Sequence, residues 1–188
     1  MSGLAVRFGA LEYRQEEDLW RSLVGSIVGQ QLSIKAAATI LARVGALGGS
    51  VFASPEVIAA ASDEELRKCG LSRAKLSYLR DLAVRWSAGE IDAPTLRSLP
   101  DEEVIEHLTR VRGVGRWTAE MVLIFSLGRP DVLAVDDLGI RNAVQLRYDL
   151  PERPDRRELE RLGDAWRPYR SYASLYLWRS LKPEPSDG

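Results

Sequence analysis

The sequence predicts an all-α fold made of short helices. Apolar residues recur every three or four positions along most of the chain, which is the spacing of one face of an α-helix. Helix-capping signals precede several of these runs. The longest stretch with the alternation of a strand is only "DVLAV", and no internal repeat is present. These observations together favour helices over a sheet.

The first half of the chain begins with two helical runs, "DLWRSLVGSIVGQ" and the alanine-rich "SIKAAATILARVGAL". Ser54 and Pro55 open a short helix, because proline suits the first helical position. Ser62 and Glu65 form a capping box in "SDEELRKCG", and Gly70 closes that helix. "SRAKLSYLRDLAVRW" then gathers its apolar residues on one side.

The second half continues the helical pattern. "PDEEVIEHLTRV" begins with acidic residues, which favour a helix N-terminus. Helices are also expected over residues 116–126 and 138–148. A break rich in proline and arginine precedes two further runs, "LERLGDAW" and "PYRSYASLYLWRSL". The tail, residues 182–188, is expected to be disordered.

Size, charge and cysteine content limit the class of protein. The 188 residues suit one domain or two small lobes, and no apolar stretch reaches the roughly 18 residues that span a membrane. The N-terminus lacks a signal-peptide pattern. The single Cys69 excludes an internal disulfide and an iron–sulfur cluster held by several cysteines. We therefore expect an intracellular protein without a membrane partner.

The charge distribution gives two opposing indications. A net charge of −1 argues mildly against a nucleic-acid-binding protein, because such proteins are usually basic. Locally, however, six basic residues lie within 19 positions. They are Arg67, Lys68, Arg73, Lys75, Arg80 and Arg85. This cluster could flank a DNA-binding face, although a charge run is more often a solvated surface.

A glycine-containing turn, "VRGVG", separates two predicted helices. Gly113 and Gly115 allow positive φ and close approach of another surface, and Val114 can pack back between the helices. Free amides at the start of the next helix would form an anion site, for which a DNA phosphate is the obvious ligand. A plain helix–helix turn with glycine caps is the alternative interpretation.

Several segments, in order, resemble the helix-hairpin-helix superfamily of base-excision DNA glycosylases. "LTRVRGVGRWTAEMVL" is similar to the hairpin, and "VLAVDDLGIRNAV" to the loop that leads to an essential aspartate. "SIVGQQLSIKAAATI" is similar to a segment that probes the DNA minor groove. "GLSRAKLSYLRDLA" and "WRPYRSYASLYLW" resemble helices of the 3-methyladenine DNA glycosylase II branch. The matches extend from about residue 17 to residue 180.

The resemblance implies a single glycosylase domain over residues 1–188, with two helical lobes that enclose a cleft. Its hairpin would span about residues 101–127 and its aspartate loop about residues 128–138. The chain is too short to contain the extra N-terminal β-rich domain of the larger members. The expected partner is double-stranded DNA with alkylated bases, and the expected state is a monomer.

Asp137 is the predicted catalytic residue. An acidic pair before a helix is usually an N-cap, and Asp136 and Asp137 could divide the work. The resemblance places Asp137, which precedes "LGI", at the essential position. A fixed carboxylate there can stabilise positive charge on the sugar and can orient or deprotonate the attacking water. A base alkylated at a ring nitrogen already leaves readily, so no general acid is required, and His107 is expected on a helix surface.

The resemblance also implies the base pocket and the type of reaction. Bifunctional relatives have a lysine where this chain has Trp117, and that lysine forms a Schiff base and cuts the strand. Trp117 and Trp178 would instead attract a cationic base, by about 2 kcal/mol when desolvated. Met121 and Leu138 replace tyrosines of the larger enzymes, which leaves fewer aromatic walls. Without the resemblance, core packing would be the favoured interpretation of both tryptophans.

The remaining predicted site residues would contact DNA or a cation. A flipped base leaves a gap in the duplex, and the resemblance places Gln31 at the intercalating position. The other predicted DNA contacts are Gln30, Leu32, Ser33, Lys75, Gly113, Val114, Gly115, Arg116 and Thr118. The carbonyls of Thr109, Val111 and Val114 match positions that hold Na⁺ or K⁺ in relatives. No other cofactor is expected.

The predicted function is therefore monofunctional base excision of alkylated purines such as 3-methyladenine and 7-methylguanine. A glycosylase for other damaged bases is one alternative. A non-catalytic lesion-binding module is a second, and it would bind DNA without releasing a base. A helical protein-interaction domain is a third, and it would show no salt-dependent affinity for DNA.

Overall fold

The computed structural model describes residues 2–11 and 16–182, and all regular elements in those ranges are helical. The all-α prediction is confirmed. The helices are α1 (Ser2–Phe8), α2 (Leu19–Gly29), α3 (Ile34–Ala46), α4 (Pro55–Ala60), α5 (Asp63–Lys68), α6 (Arg73–Ser87), α7 (Ala93–Ser98), α8 (Asp101–Thr109), α9 (Arg116–Phe125), α10 (Leu138–Arg147), α11 (Arg156–Gly163) and α12 (Arg170–Ser180). A 3₁₀ turn (Asp164–Trp166) follows α11. Of the tail predicted to be disordered, residues 183–188 lie outside the described residues.

The chain forms two compact units. The hairpin unit comprises residues 16–122, and the aspartate unit comprises residues 1–15 and 123–188. The division falls inside α9, between Val122 and Leu123. The assignment of residues 1–188 to a single glycosylase domain stays a prediction.

In the hairpin unit, α6 packs against both α2 and α4. Leu23 and Ile27 of α2 and Leu79 and Leu82 of α6 are completely buried, as the stripes in the sequence predict. Burial of side chains of this size contributes about 1.5–3 kcal/mol each. Because α6 packs against both of these helices, the backbone positions of its polar residues are fixed relative to them.

In the aspartate unit, α10 packs against α12, and the loop that precedes α10 is tied down. The hydroxyl of Ser171 donates to the carbonyl of Arg129 at 2.6 Å and accepts the amide of Val132 at 3.0 Å. Asp131 accepts hydrogen bonds from the side chains of Arg167 and Arg170 at 2.9 and 2.7 Å. These bonds fix the loop that enters the predicted catalytic position.

The helix ends follow the capping signals. The capping box of Ser62 and Glu65 is confirmed, with both reciprocal hydrogen bonds present, and Gly70 follows with a φ of +106°. Two short helices, α1 and α7, were not predicted. Helix α7 begins after an Asp92 cap that accepts the amide of Thr95 at 2.9 Å. Within the described ranges, no helix combines the length and apolar character that a membrane crossing requires.

Candidate active site and nucleic-acid interface

Asp137 is a buried carboxylate at the N-terminus of α10. Only 8% of its surface is exposed. Its Oδ1 accepts the amide of Ile140 at 2.7 Å, which makes Asp137 the N-cap, and also accepts the indole N–H of Trp178 at 2.9 Å. The capping role and the predicted catalytic role therefore fall on the same residue. A carboxylate held by two donors has a fixed direction, which electrostatic catalysis requires.

Trp178 is positioned by two contacts. Its ring stacks on Phe125 with the centroids 5.8 Å apart and the planes at 26°. The edge of the ring that carries Cδ1 and Nε1 approaches Gly139 closely. A Cβ atom at Gly139 would lie 3.0 Å from Cδ1 of Trp178 and 3.1 Å from Oδ1 of Asp137. The glycine in "DLGI" therefore provides the space in which the indole reaches the carboxylate.

Asp136 makes different contacts from its neighbour Asp137. Its side chain is exposed and pairs with Arg156 of α11 at 2.7 Å. An exposed ion pair of this kind contributes little to stability. The structure thus assigns the cap to Asp137 and a surface ion pair to Asp136.

The other residues predicted for the base pocket differ in exposure. Trp117 lies in the first turn of α9 with 45% of its surface exposed, and Met121 lies one turn later, half-buried. Leu138 is the first residue of α10 and is 55% exposed. Large apolar side chains with this exposure are available for contact with a ligand. Their assignment to a base pocket stays a prediction.

The hairpin turn requires glycine at one of its two glycine positions. Gly113 has a φ of +78°, and a Cβ atom there would overlap the ring of Tyr78 in α6. Val114 is buried, as predicted for a residue that packs between the helices. At Gly115 a Cβ atom would meet nothing within 4 Å. Gly115 is therefore an open position on the surface of the turn.

The hairpin amides are less available than the sequence predicts. The amide of Arg112 donates to Asp81 at 2.9 Å, and the amide of Val114 donates to the carbonyl of Val111 at 3.1 Å. These bonds remove two of the donors expected around the glycines. Because a helix N-terminus favours an anion, the start of α9 stays the predicted place for a phosphate.

Two predicted DNA contacts, Arg116 and Thr118, lie in the first turn of α9 and have surroundings that the sequence does not reveal. Arg116 pairs with Glu102 at 2.6 Å and with Glu120 at 3.1 Å, so its charge is balanced within the hairpin unit. These carboxylates raise the pKa of Arg116 further above its already high value. Only 5% of Thr118 is exposed, so its side chain is part of the interior, and the predicted contact would use its backbone amide. Both DNA contacts stay predictions.

The segment predicted to probe DNA is the turn between α2 and α3, which we call the probe turn (residues 29–33). Gln31 is exposed at its tip with a φ of +57°, a left-handed conformation that is uncommon for a residue other than glycine. Leu32 and Ser33 are exposed beside it, and Ser33 caps α3 through the amide of Ala36. Gln30 is half-buried, and its Nε2 donates to the carbonyl of Gly113 at 2.8 Å.

Much of the predicted basic cluster is engaged within the protein. The ammonium of Lys75 donates to the carbonyls of Val28 and Gln30 at 2.7 and 2.6 Å. Arg80 donates to carbonyls at the end of α4, and Arg85 pairs with Asp81 at 3.1 Å. The charged groups of these three residues therefore have partners within the hairpin unit, and the flanking of a DNA face by this cluster stays a prediction.

Sequence reasoning missed the residues that orient others. Phe125 had no signal, because an aromatic residue in an apolar helix is ordinary core. The bond from Gln30 to Gly113 joins positions 83 residues apart, which no local pattern reveals. Gly139 did carry a signal, since a glycine inside a first helical turn has a low helix propensity and needs a packing reason.

Comparison with known proteins identifies the family of the chain. Residues 24–168 match the family described as HhH-GPD superfamily base excision DNA repair protein. The chain is 37% identical to DNA-3-methyladenine glycosylase 1 of Schizosaccharomyces pombe over 172 residues, which are 89% of this chain and 75% of that protein. Its fold is similar to the crystal structure of a DNA-3-methyladenine glycosidase from Bacillus halodurans, with a TM-score of 0.88, 40% identity and coverage of 95% and 82% of the two chains.

A second solved structure is that of the Schizosaccharomyces pombe 3-methyladenine DNA glycosylase Mag1 in complex with abasic DNA. The TM-score is 0.86 at 34% identity, and the match covers 97% of this chain and 91% of that one. The family match spans most of the chain and includes both the hairpin and Asp137. The chain therefore belongs to the HhH-GPD superfamily of base excision DNA repair proteins.

Proposed function

We propose that this protein is a monofunctional DNA glycosylase that releases alkylated purines, such as 3-methyladenine and 7-methylguanine, from double-stranded DNA. The observation that carries the proposal is the buried carboxylate of Asp137, held through Oδ1 by the amide of Ile140 and the indole of Trp178. The names of its relatives support the same reaction class, because they are glycosylases of 3-methyladenine.

The chemistry needs a fixed negative charge more than it needs an acid. Breaking an N-glycosidic bond to an alkylated, cationic base leaves positive charge on the sugar, and the base departs as a neutral molecule. A carboxylate that is already oriented stabilises that charge without reorganising. The same carboxylate can orient the attacking water or accept its proton. Asp137 supplies this group, while Trp178 and Gly139 keep it in place.

The proposed reaction stops at the abasic site. A lyase step needs an amine to form a Schiff base with the sugar. The chain has four lysines, and none lies between residues 76 and 181, which include the hairpin, α10 and α12. At the position where bifunctional relatives have a lysine, the exposed ring of Trp117 offers a face for cation–π contact with the methylated base.

A monovalent cation at the hairpin is compatible with the residues present. Its ligands would be the carbonyls of Thr109, Val111 and Val114, and carbonyl oxygens suit hard cations. The carbonyl of Val111 already accepts one hydrogen bond from Val114, but each carbonyl has a second lone pair. Such an ion would strengthen the attraction of the turn for a phosphate. A monomer that acts alone on duplex DNA completes the proposal.

The test is base release from N-methylated duplex DNA, with the products analysed before and after alkali. We expect free 3-methyladenine and 7-methylguanine, and strand breaks only after alkali. Breaks without alkali would contradict the monofunctional mechanism. Tight binding without release of any methylated base would favour a lesion-binding module, and release only from duplexes with deaminated or oxidised bases would favour another substrate class.

A further inference from the structure

The probe turn is held in an unfavourable backbone conformation. A left-handed φ at Gln31 costs about 1 kcal/mol or more and persists only when surrounding contacts impose it. Inside the turn, the amide of Leu32 donates to the carbonyl of Gly29 at 3.1 Å. From outside the turn, Lys75 of α6 donates to the backbone around Gly29, and the side chain of Gln30 is bonded to the hairpin.

The ammonium of Lys75 lies at the C-terminal end of α2. It donates to the carbonyls of Val28 and Gln30, on either side of Gly29, at 2.7 and 2.6 Å. The last carbonyls of a helix have no partner within it and carry partial negative charge, so a cation is favourable there. Lys75 is half-buried, and desolvation lowers the pKa of its side chain. A group in this position stabilises a turn and is poorly exposed to a phosphate.

The same helix holds the hairpin. Tyr78, three positions after Lys75, packs its ring where a side chain at residue 113 would stand. Asp81, three positions further, accepts the amide of Arg112 at 2.9 Å and is itself held by Arg85. Positions separated by three or four residues lie on one face of a helix. One stripe of α6 therefore contacts both segments that the proposed function brings to DNA.

A direct hydrogen bond also links the probe turn to the hairpin. The side chain of Gln30 donates from the probe turn to the carbonyl of Gly113 in the hairpin at 2.8 Å. Lys75 holds the backbone carbonyl of the same Gln30. Each of the two DNA-contacting segments is thus bound to α6, and they are also bound to each other, within a single compact unit.

We infer that Lys75 is a positioning residue, which through Gln30 sets the position of Gln31 relative to the hairpin. The inference rests on the proposed glycosylase function. The hairpin fixes the register of the duplex by a phosphate contact, and Gln31 must then meet the gap that the flipped base leaves. A displacement of about 1 Å between such elements can cost a factor on the order of 100 in rate.

The alternative is the direct phosphate contact that the sequence suggests, and salt dependence separates the two roles. Removing a cation that neutralises one phosphate reduces the slope of log affinity against log salt by about 0.9. Removing a positioning residue leaves this slope unchanged and lowers the rate from the bound state.

The experiment compares Lys75→Met and Lys75→Arg with the wild type. Met retains the stem without the charge, and Arg restores a cation with several donors. Lys182→Met, an exposed lysine of the aspartate unit, is the matched control for loss of charge. The measurements are the maximal single-turnover rate of 7-methylguanine release and the affinity for abasic duplex DNA between 50 and 200 mM salt, roughly the range over which phosphate contacts are resolved.

We expect Lys75→Met to lower the maximal rate about tenfold or more with an unchanged salt slope, Lys75→Arg to recover part of the rate, and Lys182→Met to match the wild type. In combination with Gln31→Ala, Lys75→Met should add little, because both act through one side chain. A salt slope reduced by about 0.9 with an unchanged rate would identify a phosphate contact and overturn the inference. An unchanged rate and slope would overturn it too.

Hydrogen–deuterium exchange provides a readout that needs no activity. Lys75→Met should increase exchange in residues 29–33 and in residues 112–115, and should leave α12 unaffected. Increased exchange in the probe turn alone would contradict the coupling. Gln30→Met removes the bond to the hairpin without touching Lys75, so it tests the same coupling if Lys75→Met does not fold. A wild type that releases no base refutes the proposed function, whereas an unchanged exchange pattern refutes the positioning role.

Discussion

At the scale of single residues, Asp137 serves two needs with one carboxyl group. As the N-cap it satisfies an amide that α10 cannot satisfy itself, and such a cap contributes about 1 kcal/mol. As a buried carboxylate it also provides a charge with a fixed direction. The hydrogen bond from Trp178 goes to Oδ1, which is the same oxygen that caps the helix. A substitution here can therefore affect stability and rate separately.

Trp178→Phe removes the hydrogen bond that orients Asp137 and keeps an aromatic ring at position 178. Phe retains a ring against Phe125 but cannot donate to Oδ1. Hydrogen bonds to charged groups contribute about 1.5–3 kcal/mol, so we expect the single-turnover rate to fall about tenfold or more with little change in DNA affinity.

Trp166→Phe is the matched control for that change. The indole of Trp166 donates to the hydroxyl of Tyr148 at 3.0 Å, so this variant also loses one indole hydrogen bond in the aspartate unit. It should lower the free energy of unfolding and leave the rate unchanged. Equal rates for Trp178→Phe and the wild type would show that the indole N–H does not orient the carboxylate.

At the scale of elements, the hairpin turn contains two glycines with different roles, because Gly113 is required by the structure and Gly115 is not. Gly113→Ala requires a strained φ and a clash with Tyr78, so the free energy of unfolding should fall by about 2 kcal/mol or more. Gly115→Ala introduces a methyl group into open space and should leave stability nearly unchanged, because φ at this position is not in the left-handed region.

The two glycine variants should also differ in DNA binding. The Cβ of Gly115→Ala would project from the surface of the turn, where a phosphate would approach the amides of α9, so affinity for abasic duplex DNA should fall without loss of stability. Denaturant unfolding and binding titrations measure both effects. A stable Gly113→Ala, or an unstable Gly115→Ala, would contradict this assignment.

Local signals predicted local structure well. The capping box at Ser62, the turn at Gly113 and the cap at Asp137 depend on residues a few positions apart, so the sequence contains the information directly. The partners of Lys75 and Arg116 could not be predicted for the opposite reason. The ammonium of Lys75 donates to the carbonyl of Gln30, which is 45 residues away. Arg116 pairs with Glu102 on another helix. A sequence shows which residues are charged but not which partners they contact in the folded protein.

At the scale of the whole molecule, ion pairs accompany a near-neutral net charge. A net charge of −1 arises from 26 basic and 27 acidic residues, and several of the basic ones pair with a carboxylate. Arg85 pairs with Asp81, Arg116 with Glu102, and Arg170 with Asp131. The net charge of the chain is therefore a poor guide to the charge that any one of its surfaces presents to DNA.

The same pairing predicts that acid destabilises the fold. Burial by itself raises the pKa of Asp131, but hydrogen bonds from Arg170 and the charges of Arg170 and Arg167 outweigh it and hold the pKa below its usual value. Hydrogen bonds from Arg116 lower the pKa of Glu102. A carboxyl with a lowered pKa binds fewer protons when folded than when unfolded. Its contribution is therefore complete above the unfolded value, near pH 4, and disappears as the pH falls through the folded value.

We expect the free energy of unfolding to be flat from about pH 7 to pH 5 and to fall below about pH 4. Asp131→Asn should lower stability at neutral pH by about 2 kcal/mol and weaken the acid dependence, because it removes one of the groups that titrate. Urea unfolding at a series of pH values measures both. Stability that rises as the pH falls from about 5 to 3 would contradict the assignment.

The most direct test of the whole account is the single-turnover rate of 7-methylguanine release by Asp137→Asn. Asn retains an oxygen that can accept from Ile140 and Trp178, so the fold and the affinity for abasic DNA should survive. Asp155→Asn is the matched control, since Asp155 caps α11 through the amide of Glu158 in the same unit. The account predicts a loss of about 100-fold or more for Asp137→Asn and a wild-type rate for Asp155→Asn. A wild-type rate for Asp137→Asn would contradict it, because the charge of that carboxylate would then contribute nothing to breaking the glycosidic bond.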